Sequence, residues 1–224
     1  LAKAGGVGLP ANRARVLAAF EVVLAAAVVL LDLAIPSAVL VLLAGLSLAV
    51  RRERPATLGF HRLARPWRTT GIVVVLTLAW TLVQFAIVMP TLNRVTGTEQ
   101  DLSAFNDLEG DLGLLLLLLA ASWTLGALVE ETAFRGYLLT RTTEVVGSGT
   151  VAVVTGVVVS SALFGLIHTE QGLVGVLLSA LDAVFFAVLR LRTGSVWSAV
   201  VAHGTSNTIG LVTVFWVGPV TGLW

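Results

Sequence analysis

The chain has 224 residues, 57% hydrophobic and only 12% charged, with a mean hydropathy of +0.96 and a net charge of +1. A soluble domain carries about 25% charged residues, so this composition describes an integral membrane protein built of helices. No basic patch is interleaved with aromatics, which points to no nucleic-acid partner. The absence of cysteine excludes disulfides, thiolate metal sites and cysteine nucleophiles.

Lys3 is the only lysine, set among abundant Ala, Val, Leu, Gly and Arg, a bias that suits a high-GC bacterial source and a plasma-membrane location. The chain begins at Leu1 rather than Met, which leaves room for residues before it. Residues 1–15 carry no apolar signal-peptide core.

A helix needs about 20 mostly apolar residues to cross a bilayer. Read that way, the spans fall at roughly 16–33, 36–50, 70–89, 112–133, 150–168, 172–189 and 196–216. Seven spans are expected, within a range of six to eight. The first two, separated by Asp32 and Pro36, read as a tight helical hairpin. The fold class is therefore all-α, a polytopic bundle forming one membrane domain over residues 1–224.

Lys and Arg in short loops set the orientation. Lys3, Arg13 and Arg15 precede the first span, and Arg51, Arg52, Arg54, Arg62, Arg65 and Arg68 follow the second. Arg141 follows the fourth, and Arg190 and Arg192 follow the sixth. All fall on one side, expected to be cytoplasmic together with the N-terminus. The opposite loops hold Asp32, then Glu99, Asp101, Asp107, Glu109 and Asp111, then Glu170. Residues 51–69, with Phe60, His61, Leu63 and Trp67 among arginines, read as an amphipathic segment on the cytoplasmic headgroups.

Against this background Glu130-Glu131-Thr132-Ala133-Phe134-Arg135 stands out, because it follows the uncharged run Leu112 to Val129. An ionisable group inside a span costs about 2.5–3.5 kcal/mol even on lenient insertion scales, so it is a functional hypothesis by default. Glu131 and Arg135 are four apart on one helical face and can pair. Glu130 is rotated by about 100° from Glu131, so its partner must come from another helix.

Two histidines are candidates. His168 closes the fifth span in Phe164-Gly165-Leu166-Ile167-His168, and His203 opens the seventh in His203-Gly204-Thr205-Ser206-Asn207. His203 and Asn207 share a face. The small residues Gly165, Gly204 and Ser206 let helices approach closely. A lone buried histidine is more often a structural hydrogen-bonder, and a lone Glu–Arg pair is as often glue between helices. The set is harder to explain that way, since several costly groups in different spans would have no task. Two other acids lie within spans: Glu21 is close enough to the cytoplasmic end to reach headgroups, and Asp182 is mid-span, suited to hydrogen bonding into the bundle or to a role in the site.

A glutamate, two histidines and an asparagine can hydrolyse an amide without a covalent intermediate. Glu130 with His168 would act as general base on a water, and His203 with Asn207 would donate to the tetrahedral oxyanion. Rival schemes lack their parts. No H-E-x-x-H motif is present, no second intramembrane Asp accompanies Asp182, and no serine has a nucleophile-elbow context.

The three motifs together resemble the CPBP/Abi family of intramembrane proteases, which includes the type II CAAX prenyl endopeptidases. That family shows EExxxR, FxxxH and HxxxN or HxxxD in this order, here Glu130-Glu131-…-Arg135, Phe164-…-His168 and His203-…-Asn207. Arg192-Thr193-Gly194-Ser195-Val196-Trp197 resembles the family's lead-in to the last of these helices. The resemblance covers a core of about residues 112–210.

It implies a catalytic set of Glu130, His168, His203 and Asn207, supported by Glu131, Arg135 and Phe164. It also implies that Glu130, His168 and His203 are potential ligands of a divalent metal such as Zn2+, with an open water position. The implied substrate is a membrane-embedded peptide or lipidated protein, with the lipid bilayer as the other partner. For a bacterial chain the resemblance points to peptide maturation or bacteriocin self-immunity.

Two other classes use the same residues. A transporter or proton relay would employ chains of Asp, Glu and His, but no repeated halves or matching broken helices are present. A non-catalytic immunity protein would not need intact motifs. The depth of His168 is the open geometric question: a straight fifth helix from residue 150 carries it away from His203, about 10 Å into its own span at 1.5 Å per residue. The fifth helix is therefore expected to be short or tilted, with Thr169–Gly172 dipping into a polar cavity open to the cytoplasm.

Overall fold

The computed structural model describes residues 10–223, so Lys3 lies outside the described residues. Each of the seven expected spans corresponds to a helix. These are α1 (Ala11–Leu30), α2 (Pro36–Arg51), α3 (Pro66–Thr96), α4 (Leu112–Val146), α5 (Thr150–Leu166), α6 (Gly172–Thr193) and α7 (Val196–Val217). The helices spanning Pro66–Thr96, Leu112–Val146, Thr169–Thr193 and Val196–Val217 are long and apolar enough to cross a membrane. Pro36–Arg51 and Thr150–Leu166 are apolar but shorter. The molecule is an all-α membrane bundle.

Local chemistry sets the helix ends. Residues 31–35 turn the chain between α1 and α2 through left-handed Asp32 and Ala34, and Pro36 opens α2 where its missing N–H costs nothing. Asp111 caps α4 by accepting from Leu114 N at 2.9 Å. Gly194, at φ 69°, ends α6, and Ser195 caps α7 by accepting from Trp197 N at 3.3 Å. The Arg192–Trp197 lead-in is thus a helix stop followed by a helix start.

The central element is α4. Its first half packs on α7, and its second half packs on α1, α2 and α5. Phe134, Tyr137 and Leu138 lie in the main core with Val28 of α1, Leu40 of α2, Leu163 and Phe164 of α5 and Ala183 of α6. Exposed Leu42, Leu82, Leu117, Val151 and Trp216 form part of the apolar exterior that hydrocarbon covers.

Two helices depart from i→i+4 bonding. In α3 an i→i+5 stretch over Gln84–Val88 precedes Pro90, which has no N–H to donate and whose ring crowds the preceding turn. In α4 the wider turns run over Ser122–Glu130 and Thr132–Leu138, the segment that carries the charged motif. Thr124 and Thr132 donate their hydroxyls to Ala120 O and Leu128 O, each at 2.7 Å, competing for backbone acceptors there. Such wide turns occur frequently at functional sites.

Two sequence expectations are corrected. Glu21 does not reach headgroups: it is buried, with Arg51 Nη2 at 3.2 Å and Arg141 Nε at 3.3 Å from its Oε2. Nor does the whole 51–69 segment lie on the surface. A short 3-10 turn, Pro55–Leu58, is tucked beneath the Thr132–Leu138 part of α4, with Leu58 fully buried. Val196 N donates to Gly59 O at 2.9 Å, and Ser195 Oγ donates to His61 O at 2.6 Å. Trp67 and His61 remain exposed. Apolar Leu58 and Phe60 find more contact in the bundle than at a headgroup layer.

Candidate active site

Helix α4 brings two adjacent carboxylates to the centre of the bundle with unequal exposure. Glu131 and Arg135 are fully buried, whereas the Glu130 side chain is 18% exposed and lines a cavity. Arg135 Nη1 lies 3.0 Å from Glu131 Oε1, the i, i+4 ion pair expected from spacing. The pair is not held by aligned hydrogen bonds: neither terminal Arg135 nitrogen makes one, nor does Glu131 Oε2. The guanidinium carbon instead sits 4.1 Å above the Phe164 ring centroid and 5.4 Å from that of Phe186, where the aromatic faces attract the cation.

His203 joins both carboxylates. Its Nδ1 donates to Glu131 Oε1 at 2.8 Å, and its Nε2 lies 3.9 Å from Glu130 Oε2. The expected division, with Glu131 satisfied inside its own helix and only Glu130 reaching across, is therefore revised. Glu131 bridges Arg135 and His203, while Glu130 meets the other nitrogen of the same ring. A carboxylate on Nδ1 orients an imidazole and leaves Nε2 for chemistry.

The ring of His203 stacks on Phe186 at 5.1 Å and 17°, and meets Phe164 edge-on at 5.8 Å. His168 also contacts Phe164, with centroids 4.8 Å apart, and its Nδ1 is 3.0 Å from Phe164 O. Phe164 is thus the shared neighbour of both histidines and of Arg135. The depth problem is resolved by a short fifth helix: α5 stops at Leu166, and Thr169–Gln171 forms a 3-10 turn before α6. His168 therefore leaves the helix and lines the same cavity as Glu130, His203 and Asn207.

Close helix contacts make this convergence feasible. A Cβ on Gly126 of α4 would stand 3.3 Å from Asn207 Nδ2 and 4.0 Å from His203 Nε2, so this glycine clears space beside the α7 motif. A Cβ on Gly165 would meet Val176 O at 2.7 Å and the Ala180 Cβ at 3.0 Å. Gly204 accommodates the face of Trp123, whose Nε1 donates to Thr208 Oγ1 at 3.1 Å.

The cavity has a volume of about 390 Å³. Polar groups gather at the α4–α7 end, and Phe85, Met89, Leu118, Leu178, Leu211 and Val214 supply apolar walls. Asp182 also lines it, accepting from Trp80 Nε1 at 2.6 Å. Its bond into the bundle follows the sequence reading; its place on the wall of the same cavity had only a mid-span carboxylate as a signal. Gly126, Trp80 and Phe186 had no sequence signal at all, since glycines and aromatics are common in such spans.

Among the described residues no three His, Asp or Glu side chains form a group that could hold a metal ion. The suggested ligand set of Glu130, His168 and His203 lines one cavity, and His168 Nδ1 lies at hydrogen-bond distance from Phe164 O, which leaves Nε2 as its other ring nitrogen.

The cavity walls continue from the site to Gln100, Leu102, Phe105, Gln171 and Val220, all at the end of the bundle that carries the acidic loops.

Residues 112–209 match the family model for the Rce1-like proteins, described as type II CAAX prenyl endopeptidase Rce1-like. The matched segment contains all three motifs and most of the cavity's polar end. Comparisons with curated proteins and with solved structures returned no match. At family level the match supports an intramembrane endopeptidase of the CAAX type, acting on a peptide or protein in the membrane. Over residues 112–209 this chain is similar to the Rce1-like family.

Proposed function

We propose that the protein is an intramembrane endopeptidase that hydrolyses a peptide bond of a membrane-associated substrate with a water activated by Glu130 and His168. The observation that carries this reading is the pair of contacts on His203. Glu131 anchors Nδ1 at 2.8 Å, and Nε2 faces Glu130 across 3.9 Å at the cavity wall. A purely structural histidine would have no reason to leave one nitrogen beside a second, partly exposed carboxylate.

In the proposed reaction, Glu130 takes a proton from water as the oxygen attacks the scissile carbonyl carbon, with His168 helping to orient that water. The carbonyl becomes a tetrahedral oxyanion. The protonated His203 ring, its Nδ1–H held on Glu131, donates its Nε2–H to it together with the Asn207 amide, and their fixed placement is what stabilises developing charge. Glu130 then returns the proton to the departing amine as the C–N bond breaks. The Glu131–Arg135 pair acts through His203 as a positioning unit, because Glu131 holds the ring and Arg135 holds Glu131. The apolar wall suits the hydrocarbon or apolar side chains of a membrane substrate and keeps bulk water from the site.

The test is cleavage of membrane peptides by the purified protein in lipid, with Glu130→Gln and His168→Ala variants. General acid–base groups contribute about 10²–10⁴ in rate, so Glu130→Gln is expected to lose at least the lower figure while remaining folded. Cleavage that survives this substitution would refute the proposal. A chelator arm, with folding monitored in parallel, separates the metal-free scheme from one requiring a divalent ion.

A further inference from the structure

We propose that Asp182 anchors a substrate subsite for a cationic side chain, so that the peptides this protein accepts carry a lysine or arginine close to the scissile bond. The endopeptidase reading supplies the identity of the ligand as a peptide; the subsite itself rests on the geometry and charge of the α3–α6 wall.

Asp182 lies mid-span on α6 and lines the same cavity as Glu130 and His203. The one hydrogen bond of good geometry on its carboxyl comes from Trp80 Nε1 to Oδ1, at 2.6 Å. That donor is fixed in place. The Trp80 ring stacks on Phe185 at 5.5 Å and 19°, and Phe185 in turn meets Phe186, the ring on which His203 lies. The bond uses one carboxyl oxygen and a neutral donor, which leaves Oδ2 for a ligand. A neutral acceptor would hold an indole N–H equally well, so gluing α3 to α6 does not call for a carboxylate.

Gln84 shows the same incompleteness. It sits at the start of the i→i+5 stretch of α3, is buried, and lines the cavity. Its side chain comes near the Asp182 carboxyl, yet its Nε2 makes no hydrogen bond. A buried donor without an acceptor is costly, and a peptide carbonyl beside the bound side chain would complete it. Ser179, three residues before Asp182 on α6, adds a hydroxyl to this wall.

Charge selects the ligand. In the reaction proposed above, Arg135 and the protonated His203 balance Glu131 and Glu130, which they contact. Asp182 is left over. Among the described residues no Lys, Arg or His forms an ion pair with it, and none lining the cavity is Lys or Arg. A carboxylate inside a membrane bundle normally pairs with a cation. Here the missing partner is an ammonium or guanidinium brought by the substrate.

The test uses the purified full chain in phosphatidylglycerol bilayers, which offer no lipid amine to the subsite. The probes are apolar peptides bearing a photo-crosslinking phenylalanine and one lysine placed at successive positions, each with a norleucine counterpart. Crosslinking to Glu130→Gln protein reads occupancy without turnover. The best lysine peptide is expected to crosslink at least about 10-fold more than its norleucine counterpart at limiting concentration, the lower end of what a desolvated charge pair contributes. Asp182→Asn should abolish that preference and leave norleucine crosslinking unchanged, which also shows that the variant is folded; Asp182→Glu should retain it. Equal crosslinking of the lysine and norleucine peptides at every position, or a preference that survives Asp182→Asn, would overturn the subsite. A lysine preference that depends on Asp182, with no cleavage by the unsubstituted protein, would leave the subsite standing and sink the endopeptidase reading instead.

Discussion

Two clusters of buried charge sit in this bundle, and they are built differently. At the basic end Arg51 and Arg141 are saturated: Glu144 lies 2.9 Å from Arg51 Nη1 and 3.0 Å from Arg141 Nη1, and Glu53 lies 2.7 Å from Arg141 Nη2. Ser47 Oγ and Ala14 O take further donors. In the middle of the bundle Arg135 makes no hydrogen bond through its terminal nitrogens, Glu131 Oε2 has none, and the guanidinium rests on aromatic faces. The first cluster is closed on itself and lines no part of the site cavity. The second leaves His203 Nε2 and Glu130 facing open space. Burying charge is therefore not itself the mark of a functional site in this molecule. The mark is buried charge whose bonding is left incomplete beside a cavity.

Substitutions can break this contrast. The largest expected effect after Glu130→Gln is on Asn207→Ala, which removes one proposed oxyanion donor and should lower kcat by about 10²–10³. KM should change little, and a selective rise in KM would instead make Asn207 a binding group. Next is the paired comparison of Arg141→Ala with Arg135→Ala. Removing one partner of a buried ion pair is expected to cost about 3–5 kcal/mol in either cluster, measured as thermal unfolding in detergent. Only Arg135→Ala should also lower kcat of the folded fraction, since only that cluster holds His203. If Arg141→Ala lowers kcat as much, the two clusters are not functionally distinct.

The smallest effect is that of Gly165→Ala. Its new methyl meets the Val176 carbonyl at 2.7 Å, and overpacking of this kind costs about 1–3 kcal/mol. Because the shift pushes α5 from α6 next to His168, kcat should fall along with stability. Unchanged activity would show that the His168 position tolerates movement of α5.

How much of this could be read beforehand follows from the range of each interaction. The Glu131–Arg135 pair was legible because four residues along a helix is a local distance, and the wider turns of α4 preserve it. The hairpin at Pro36 was legible for the same reason: turns are made by neighbours in sequence. Glu21 was misread because its partners are 30 and more residues away in the chain. So was the 51–69 segment, whose apolar residues have the same pattern on a headgroup layer as beneath a helix bundle.

The sequence by itself determined that the chain is a helical membrane protein, which helices carry its costly polar groups, and which of those groups share a helical face. Hydropathy and spacing encode these things residue by residue. Tertiary structure alone decided that His203 lies against both glutamates, that His168 comes to line the same cavity through an early end to α5, and that the cavity leads toward the acidic loops. Those outcomes depend on how α4, α5 and α7 cross, and small residues and distant contacts set that crossing rather than any local pattern.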